Sequence, residues 1–287
     1  MTARVPQPGR GDRSLTVIRP SRRFANLFAF GEVWEYREVV RRLGARDLTL
    51  RYRQTALGVT WVVLQPLLAA GILSFVFGSV ANLPGPAGVP YFMFSFGGMV
   101  VFTLFSNVAN RATFAPTANS ALVSRTYFPR LLLPLSTLVS AVVDSLVAVA
   151  MLGVMLVIEG IWSGWVILTA PLWMLLAVSF GLGVGFAAGA YVVRYRDVGF
   201  VLPVILQFAL YVSPVAYTLD NVPDGFARTL FSLNPLVGII EGFRWAMLGT
   251  PAPSAGLVVY SVVVTLVVLV VGLVVFTERE RKFADVI

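Results

Sequence analysis

The sequence predicts an all-α integral membrane protein with six transmembrane helices. Of its 287 residues, 57% are hydrophobic, and the mean hydropathy is +0.83, which is more than a soluble domain hides behind a polar surface. Six apolar runs approach or exceed the roughly 20 residues that a helix needs to cross a bilayer core. The basic residues, which give a net charge of +8, lie mainly beside these runs and not within them.

The predicted spans divide the chain into four parts. Residues 1–30 form a flexible basic tail, 31–60 an interface helix and the approach to the membrane, 61–276 the membrane domain, and 277–287 a C-terminal tail. The pattern of residues 31–43 predicts an amphipathic helix at the membrane surface, stabilised by a pair between Glu38 and Arg41 or Arg42. The six spans are predicted at 61–80, 91–108, 131–158, 165–193, 199–217 and 257–276.

The charge distribution predicts the orientation of these spans. Every basic residue except Arg228 and Arg244 lies in a segment that a six-span topology places on one side. Because positively charged loops stay in the cytoplasm, we expect both termini to be cytoplasmic. The same charges sit in tails and short loops, where they suit topology and anionic lipids rather than nucleic acid.

A polar elbow is predicted between the second and third spans, at residues 111–136. It carries Arg111, Arg125 and Arg130 and no acidic residue, which places it in the cytoplasm. Asn119 or Ser120 is expected to cap a short helix that lies along the membrane face at residues 116–123.

The segment 218–253 is too long and too apolar for an ordinary loop. Asn234 followed by Pro235 is a typical helix start, and an apolar face follows it. We predict a hairpin of short helices at 225–248 that dips into the membrane from outside, with Glu241 and Arg244 forming a pair.

Two features inside the spans predict packing rather than chemistry. Asp144 lies deep in the third span, so it should face protein or water and have a partner. Gly181, Gly185 and Gly189 follow a small-xxx-small spacing that brings helices close together, which is a better interpretation than a nucleotide loop because no strand surrounds them.

The composition also excludes most enzymes. The chain has no cysteine and no histidine, which removes disulfides, the usual general base and the commonest metal ligand. It contains neither a Gly-rich phosphate loop ending in Lys-Ser/Thr nor a nucleophile–base or carboxylate pair on a plausible site. We therefore expect no ATPase activity, metal or cofactor in this chain.

Several motifs together resemble the membrane subunits of type-2 ABC exporters, which move lipid-linked polysaccharides such as O-antigen, teichoic acid or galactan. The resemblance covers nearly the whole chain from Gly31, and its most specific parts are Arg51-Tyr52-Arg53-Gln54 with Leu57-Gly58, Trp61 and Gln65-Pro66; Tyr127-Phe128-Pro129-Arg130 with Leu133-Pro134-Leu135-Ser136; Arg194-Tyr195-Arg196-Asp197; and Asn234-Pro235 followed by Glu241 and Arg244.

This resemblance implies a homodimer that exports a polyprenyl-diphosphate-linked glycan and carries two copies of a cytoplasmic ATPase, which binds ATP and Mg. The elbow would then be the coupling helix, and the implied coupling residues are Glu35, Glu38, Thr117, Asn119, Ser120 and Arg125. Arg46, Arg51 and Arg53 would meet the lipid diphosphate at the entrance, or else serve only as topology signals. The 225–248 hairpin would be the outer gate, with Asn234, Glu241 and Arg244.

Sugars stack on aromatic rings, so a polysaccharide path needs such rings along it. The candidate channel-lining rings are Phe75, Phe208, Tyr211 and Tyr217, unless they face lipid or neighbouring helices. Two other functions stay open at this point. One is a type-2 exporter of a drug or small lipid. The other is a membrane glycosyltransferase, which would need acidic pairs that this sequence does not contain.

Overall fold

The computed structural model describes residues 36–52, 60–86, 88–125, 129–223, 225–280 and 283. Within these ranges the fold is entirely helical. Its α-helices are α1 Arg37–Tyr52, α2 Thr60–Leu73, α3 Tyr91–Ala118, α4 Ser120–Arg125, α5 Leu132–Glu159, α6 Ala170–Val192, α7 Val198–Val212, α8 Phe226–Ser232, α9 Leu236–Leu248 and α10 Ala255–Arg279. A π-helical segment, Ser74–Val80, continues α2, and a 3₁₀ segment, Gly164–Thr169, precedes α6.

Five of these helical stretches are long and apolar enough to cross a membrane, namely Thr60–Val80, Tyr91–Ala118, Leu132–Glu159, Gly164–Val192 and Ala255–Arg279. The chain is therefore a multi-pass membrane protein. The predicted fifth span is too long by five residues, because α7 ends at Val212 and has only 15 residues. Pro214 disfavours helical backbone in the residue before it, and Ser213 is accordingly extended, with φ −91° and ψ 145°.

Helix α3 lies at the centre of the fold and packs most extensively against α6 and α5. The predicted glycine spacing is confirmed here: a Cβ on Gly181 would lie 2.7 Å from the Phe105 carbonyl oxygen, and one on Gly185 would lie 2.5 Å from the Ala112 Cβ. Only glycine permits so close an approach of two helix backbones.

The opposite face of α6 meets α10 in the same way. A Cβ on Gly183 would lie 2.7 Å from the Leu269 nitrogen, and one on Gly272 would overlap the Gly183 carbonyl oxygen. Helices α3, α6 and α10 thus form a tightly packed unit, here called the frame. Helix α9 is wedged against all three of them.

The ends of the helices alternate between two ends of the bundle. At one end, Arg46 of α1 contacts Asn119, Arg130 donates a hydrogen bond to the Glu280 carbonyl, and the Arg279 guanidinium lies 4.1 Å from the Tyr191 ring centroid. We call this the elbow end. At the other, the hairpin end, Ser163 Oγ donates to the Ala246 carbonyl at 2.6 Å and Tyr260 Oη to the Leu233 carbonyl at 2.7 Å.

Helix α1 extends further than the amphipathic pattern predicted. The prediction ended it at residue 43, whereas the helix ends at Tyr52. It packs along α5, where Gly44 lies so close that a Cβ there would be 2.6 Å from the Val139 Cβ. This contact carries the helix past the predicted end, because Gly44 is a point of packing and not a helix stop.

Helix α3 is also longer than predicted. The prediction ended the second span at residue 108 and started the elbow at Arg111, but α3 continues to Ala118. Ala109, Ala112 and Ala115 are buried on its face, so three further turns have an apolar stripe to pack. The elbow is correspondingly shorter, and its helix is Ser120–Arg125 rather than 116–123.

Helices α2 and α7 are packed much more lightly than α3, the central helix of the frame; α10, at the edge of the frame, has 17% of its most apolar window buried. In α7 only Leu202 and Leu206 are buried, whereas Phe200 and Phe208 are exposed by 77% and 66%. In the most apolar window of Thr60–Val80, 11% of residues are buried, against 72% for α3. These two helices contact the frame but leave broad apolar faces uncovered.

Candidate functional site

The elbow is built by a break in one long helix. Asn119 ends α3 with φ −114° and ψ 30°, and α4 begins at the next residue. The Leu122 N–H donates to the Asn119 carbonyl at 2.9 Å, so it is the backbone of Asn119, and not its side chain, that bridges the break. The predicted side-chain cap by Asn119 or Ser120 is not the arrangement described.

The Asn119 side chain instead ties the elbow to α1. Its Nδ2 donates to the Ala115 carbonyl at 3.0 Å, and its Oδ1 accepts from Arg46 Nη2 at 2.8 Å. Arg46 also lies 3.7 Å from Asp47. A residue predicted at the substrate entrance, Arg46, and a residue predicted for coupling, Asn119, therefore form one pair, which we call the elbow cluster.

The other predicted coupling residues are described in part. Thr117 is in the last turn of α3, where its Oγ1 donates to the Phe114 carbonyl at 2.9 Å. Glu38 is exposed on α1 and accepts from Arg42 Nε at 2.9 Å, which confirms the predicted pair. That bond holds the pKa of Glu38 below its usual range. Arg125 ends α4, but its side chain and all of Glu35 lie outside the described residues.

The predicted entrance arginines are described only in part. Arg46 belongs to the elbow cluster, and Arg51 lies in the last turns of α1. The side chain of Arg51 and the whole of Arg53 lie outside the described residues. Their role at a lipid-diphosphate entrance stays a prediction.

An ion pair joins α3 and α5 inside the bundle. Arg111 Nη2 donates to Asp144 Oδ2 at 2.6 Å, and Arg111 Nη1 donates to Ser140 Oγ at 2.6 Å. The two charged side chains are only 19% and 9% exposed. Asp144 thus has the partner that an acid in a membrane span requires. We did not predict that partner, because Arg111 was assigned to the elbow.

At the hairpin end a buried arginine holds the chain that follows α7. Arg244 is 1% exposed, and its Nε donates to the Phe94 carbonyl at 3.0 Å. Its Nη1 donates to the Pro214 carbonyl at 2.7 Å, and its Nη2 donates to the Val215 carbonyl. The guanidinium also stacks 3.6 Å from the Phe94 ring centroid.

We call this arrangement the Arg244 latch. It supplies hydrogen bonds to backbone carbonyls of the non-helical segment that follows α7. The chain after Val212 is buried but not helical, and such backbone at membrane depth needs internal partners. The described hydrogen bonds of the guanidinium all go to backbone carbonyls, and Glu241 adds an electrostatic attraction to Arg244 without a described hydrogen bond. Glu241 lies on the same helix, half-buried.

The predicted short helices at the hairpin end are both described. Asn234 Oδ1 accepts from the Leu236 N–H at 3.0 Å, so Asn234 caps α9 as predicted. Its Nδ2 donates to Ser213 Oγ at 2.9 Å, which connects the start of α9 to the end of α7. Asn234, just before the start of α9, and Arg244, one turn before its end, both contact the same non-helical segment.

The four predicted channel rings fall into two groups. Phe75, Phe208 and Tyr211 are 63%, 66% and 57% exposed. Tyr217 packs between other rings, 6.5 Å from Phe77 and 6.0 Å from Phe231, and its Oη donates to the Tyr211 carbonyl at 2.9 Å. The Phe77–Tyr217 contact brings the ends of the α2 and α7 regions together.

The sequence analysis missed two features, the Arg111–Asp144 pair and the Arg244 latch, because neither has a strong local signal. Arg111 follows Asn110, and this polar pair resembles the start of a loop, although the spacing of Ala109, Ala112 and Ala115 favours a continuing helix. The Arg244 latch joins residues 30 and 150 positions apart, which no local pattern reveals.

These observations define the class of the molecule: a multi-pass helical membrane protein with a polar elbow at one end and a buried, polar-bonded hairpin at the other. In the described residues no group of three or more His, Cys, Asp or Glu side chains is placed to hold a metal ion.

Comparison with known families identifies the class further. The family of ABC-2 type transporters matches residues 38–248, which is most of the chain, and the chain belongs to this family. The sequence resemblance is thereby confirmed, and with it the expectation that this chain is a transporter membrane subunit and not itself an ATPase.

Individual relatives are similar over almost their whole length. The O-antigen export system permease protein RfbA of Myxococcus xanthus is 27% identical over 257 residues, covering 88% of this chain and 97% of that protein. The protein of the same name from Klebsiella pneumoniae is 28% identical over 245 residues, covering 84% and 92%. The polysialic acid transport protein KpsM of Escherichia coli is 27% identical over 249 residues, covering 84% and 93%.

Proposed function

We propose that this chain is the translocating subunit of an ATP-driven polysaccharide exporter of the inner membrane. The observation that carries the proposal is the similarity, over at least 92% of their length, to relatives named for O-antigen export and polysialic acid transport. The cargo we propose is a polysaccharide linked to a polyprenyl diphosphate, moved from the cytoplasmic to the outer face. Two copies of the chain would work with two copies of a separate ATPase.

The elbow end is the cytoplasmic end in this proposal. Positive charge supports it, because Arg46, Arg130, Arg194 and Arg279 all belong to that end, and cytoplasmic segments carry an excess of arginine and lysine. Helix α1 and the end of α10 lie there too, which corresponds to cytoplasmic termini.

The elbow cluster is the proposed point at which the ATPase transmits motion. Asn119 is bonded both to the last turn of α3 and to Arg46 of α1, so a force on the elbow reaches two elements at once. Through its packing on α5, α1 passes that displacement to a membrane helix. Glu38, Thr117, Ser120 and Arg125 flank the same surface.

The proposed path for the polysaccharide runs along the lightly packed helices α2 and α7. Phe75, Phe208 and Tyr211 present exposed rings on them, and sugars stack on such faces. A second copy of the chain facing these helices would enclose the path. The entrance would carry Arg46, Arg51 and Arg53, whose guanidinium groups suit a diphosphate.

Affinity purification of the chain from its own membrane, followed by mass spectrometry of bound proteins and lipids, tests the proposal. We expect an ABC ATPase together with a polyprenyl-linked glycan. An ATPase with a drug or a small lipid in place of the glycan would reassign the cargo, and the absence of any ATPase would refute the proposed mechanism.

The coupling role of the elbow has a separate test. The triple change Asn119→Glu, Ser120→Glu and Arg125→Glu adds acids to the surface proposed to meet the ATPase. We expect the complex to lose substrate-stimulated ATP hydrolysis while the subunit remains inserted in the membrane. The matched control is Ala252→Glu, in the exposed loop before α10, which should leave hydrolysis unchanged. Normal export by the triple variant would remove the elbow from the coupling role.

A further inference from the structure

A cavity of about 80 Å³ lies between α2, α3 and α5, and no function described above uses it. Its wall is mainly apolar but includes five polar side chains. Gln65, Thr103, Asn107, Asp144 and Ser145 all line it, and they come from three different helices. Asp144, which also pairs with Arg111, therefore lines the cavity.

Three of these polar side chains have no protein partner. Among the described residues, Gln65, Thr103 and Asn107 make no side-chain hydrogen bond to the protein. Gln65 is exposed on the protein surface, and Thr103 and Asn107 are half-buried. In a membrane, hydrocarbon offers such groups no hydrogen-bond partner, and a polar group without a partner costs free energy. Three of them converging on one cavity therefore favour a polar occupant.

The backbone of α2 adds a fourth unpaired group. Pro66 has no N–H, so the carbonyl of Val62, four residues earlier, cannot receive its normal helical hydrogen bond. Both Val62 and Pro66 line the cavity and are otherwise buried. The Val62 carbonyl, which lacks its helical hydrogen bond, therefore belongs to the same cavity as the polar side chains.

We propose that this cavity binds a small cluster of water molecules at the Pro66 position of α2. At about 30 Å³ per molecule its volume holds two or three waters, and each finds the two to four polar partners that a buried water requires. The waters bridge the Gln65, Thr103 and Asn107 side chains and the Val62 carbonyl. Water exchanges hydrogen bonds readily. Helix α2 can therefore bend against α3 at this position while its polar groups keep hydrogen bonds to water.

The absence of cysteine from the chain permits a direct test in the full-length protein, in its own membrane and independent of transport. Ala69 lines the cavity, whereas the neighbouring Leu68, although 51% exposed, does not. A thiol reacts as the thiolate, which forms only where water reaches it. We expect Ala69→Cys to react with a water-soluble methanethiosulfonate reagent at least tenfold faster than Leu68→Cys. Ala252→Cys, in an exposed loop, reports full access.

Equal rates at the two positions overturn the proposal. If both are slow, the cavity is dry, and if both are fast, water covers the whole face of α2 and the cavity is not a distinct site. These results leave the proposed export function untouched, because they concern hydration and not cargo.

Removal of the polar partners tests whether they hold the water. In the Ala69→Cys background, Thr103→Val and Asn107→Leu keep similar volumes but delete hydrogen-bonding atoms. We expect each to slow the reaction at least fivefold, with the Ala252→Cys rate unchanged. An unaltered rate in a properly folded variant would contradict the site. Thr103→Val, the more conservative change, decides the question if Asn107→Leu does not accumulate in the membrane.

Discussion

Two groups of helices are similarly apolar but differ in how closely they pack. One is the frame, formed by α3, α6 and α10, and the other is the pair of α2 and α7. In the frame, backbones meet at Gly181, Gly183 and Gly272 with no room for a Cβ. Helix α7 buries only two side chains and exposes Phe200 and Phe208. Hydropathy alone does not separate these groups, because both are suited to lipid. The difference is that the helices of one group meet through close backbone contact, whereas those of the other leave most of their surface uncovered.

Polar bonds occur both at the end of α7 and inside the well-packed part of the bundle. Arg244 binds the segment after α7, where the chain is not helical. Within the frame, Thr113 Oγ1 donates to the Gly185 carbonyl at 3.4 Å, and Arg111 ties α3 to Asp144 of α5. What distinguishes α7 is therefore its thin apolar packing, with polar bonds to the segment that follows it.

The largest effect is expected from Gly272→Leu. The new side chain would overlap the Gly183 carbonyl oxygen, and since both partners are backbone, neither can move aside. We expect loss of the monodisperse protein peak in detergent size-exclusion chromatography. Gly256→Leu, on the same helix with open space around it, is the matched control and should behave as wild type. Normal folding of Gly272→Leu would show that the frame is not rigid.

A smaller but still large effect is expected from Arg244→Met. The change leaves the Phe94, Pro214 and Val215 carbonyls without their donor, and we expect it to lower the free energy of unfolding by about 3 kcal/mol. Thermal unfolding of the purified protein measures this, with the exposed Arg196→Met as control. If Arg244→Met is as stable as the control, polar bonds do not hold the α7 end, and the comparison fails at this point.

The smallest effect on stability is expected from Phe208→Ala. This ring is 66% exposed, so its loss should change the free energy of unfolding by no more than about 0.5 kcal/mol. Phe96→Ala, at a fully buried position near the start of α3, should cost about 3–5 kcal/mol. Export by Phe208→Ala should nevertheless fall if the ring lines the path. Equal destabilisation by the two changes would erase the distinction between the frame and the lightly packed helices.

Elements bounded by strong local signals could be predicted from the sequence. The third and fourth spans were placed to within one or two residues of Leu132–Glu159 and Gly164–Val192, because prolines, glycines and charges mark their ends. The cap by Asn234 was also predicted, since it depends on neighbouring residues only.

The ends that depend on tertiary contacts could not be predicted in this way. Arg111 belongs inside α3 because Asp144, 33 residues later, neutralises it, and neither residue alone indicates the other. The end of α7 at Val212 is stable because Arg244 bonds the carbonyls beyond it. Of the candidate site, the sequence identified the elbow and the hairpin, but not that Arg46 and Asn119 are bonded partners.

The shortness of α7 has a consequence for the lipid around it. Its 15 residues extend about 22 Å at 1.5 Å per residue, whereas the hydrocarbon layer of a bilayer is roughly 30 Å thick. Because the chain beyond Val212 stays folded against Arg244, α7 cannot lengthen to match. A short apolar helix is accommodated by thinning of the bilayer, by flanking polar side chains that reach the interface, or by association with another copy. The last of these agrees with a second copy that covers α7 and encloses a path shorter than the full hydrocarbon layer.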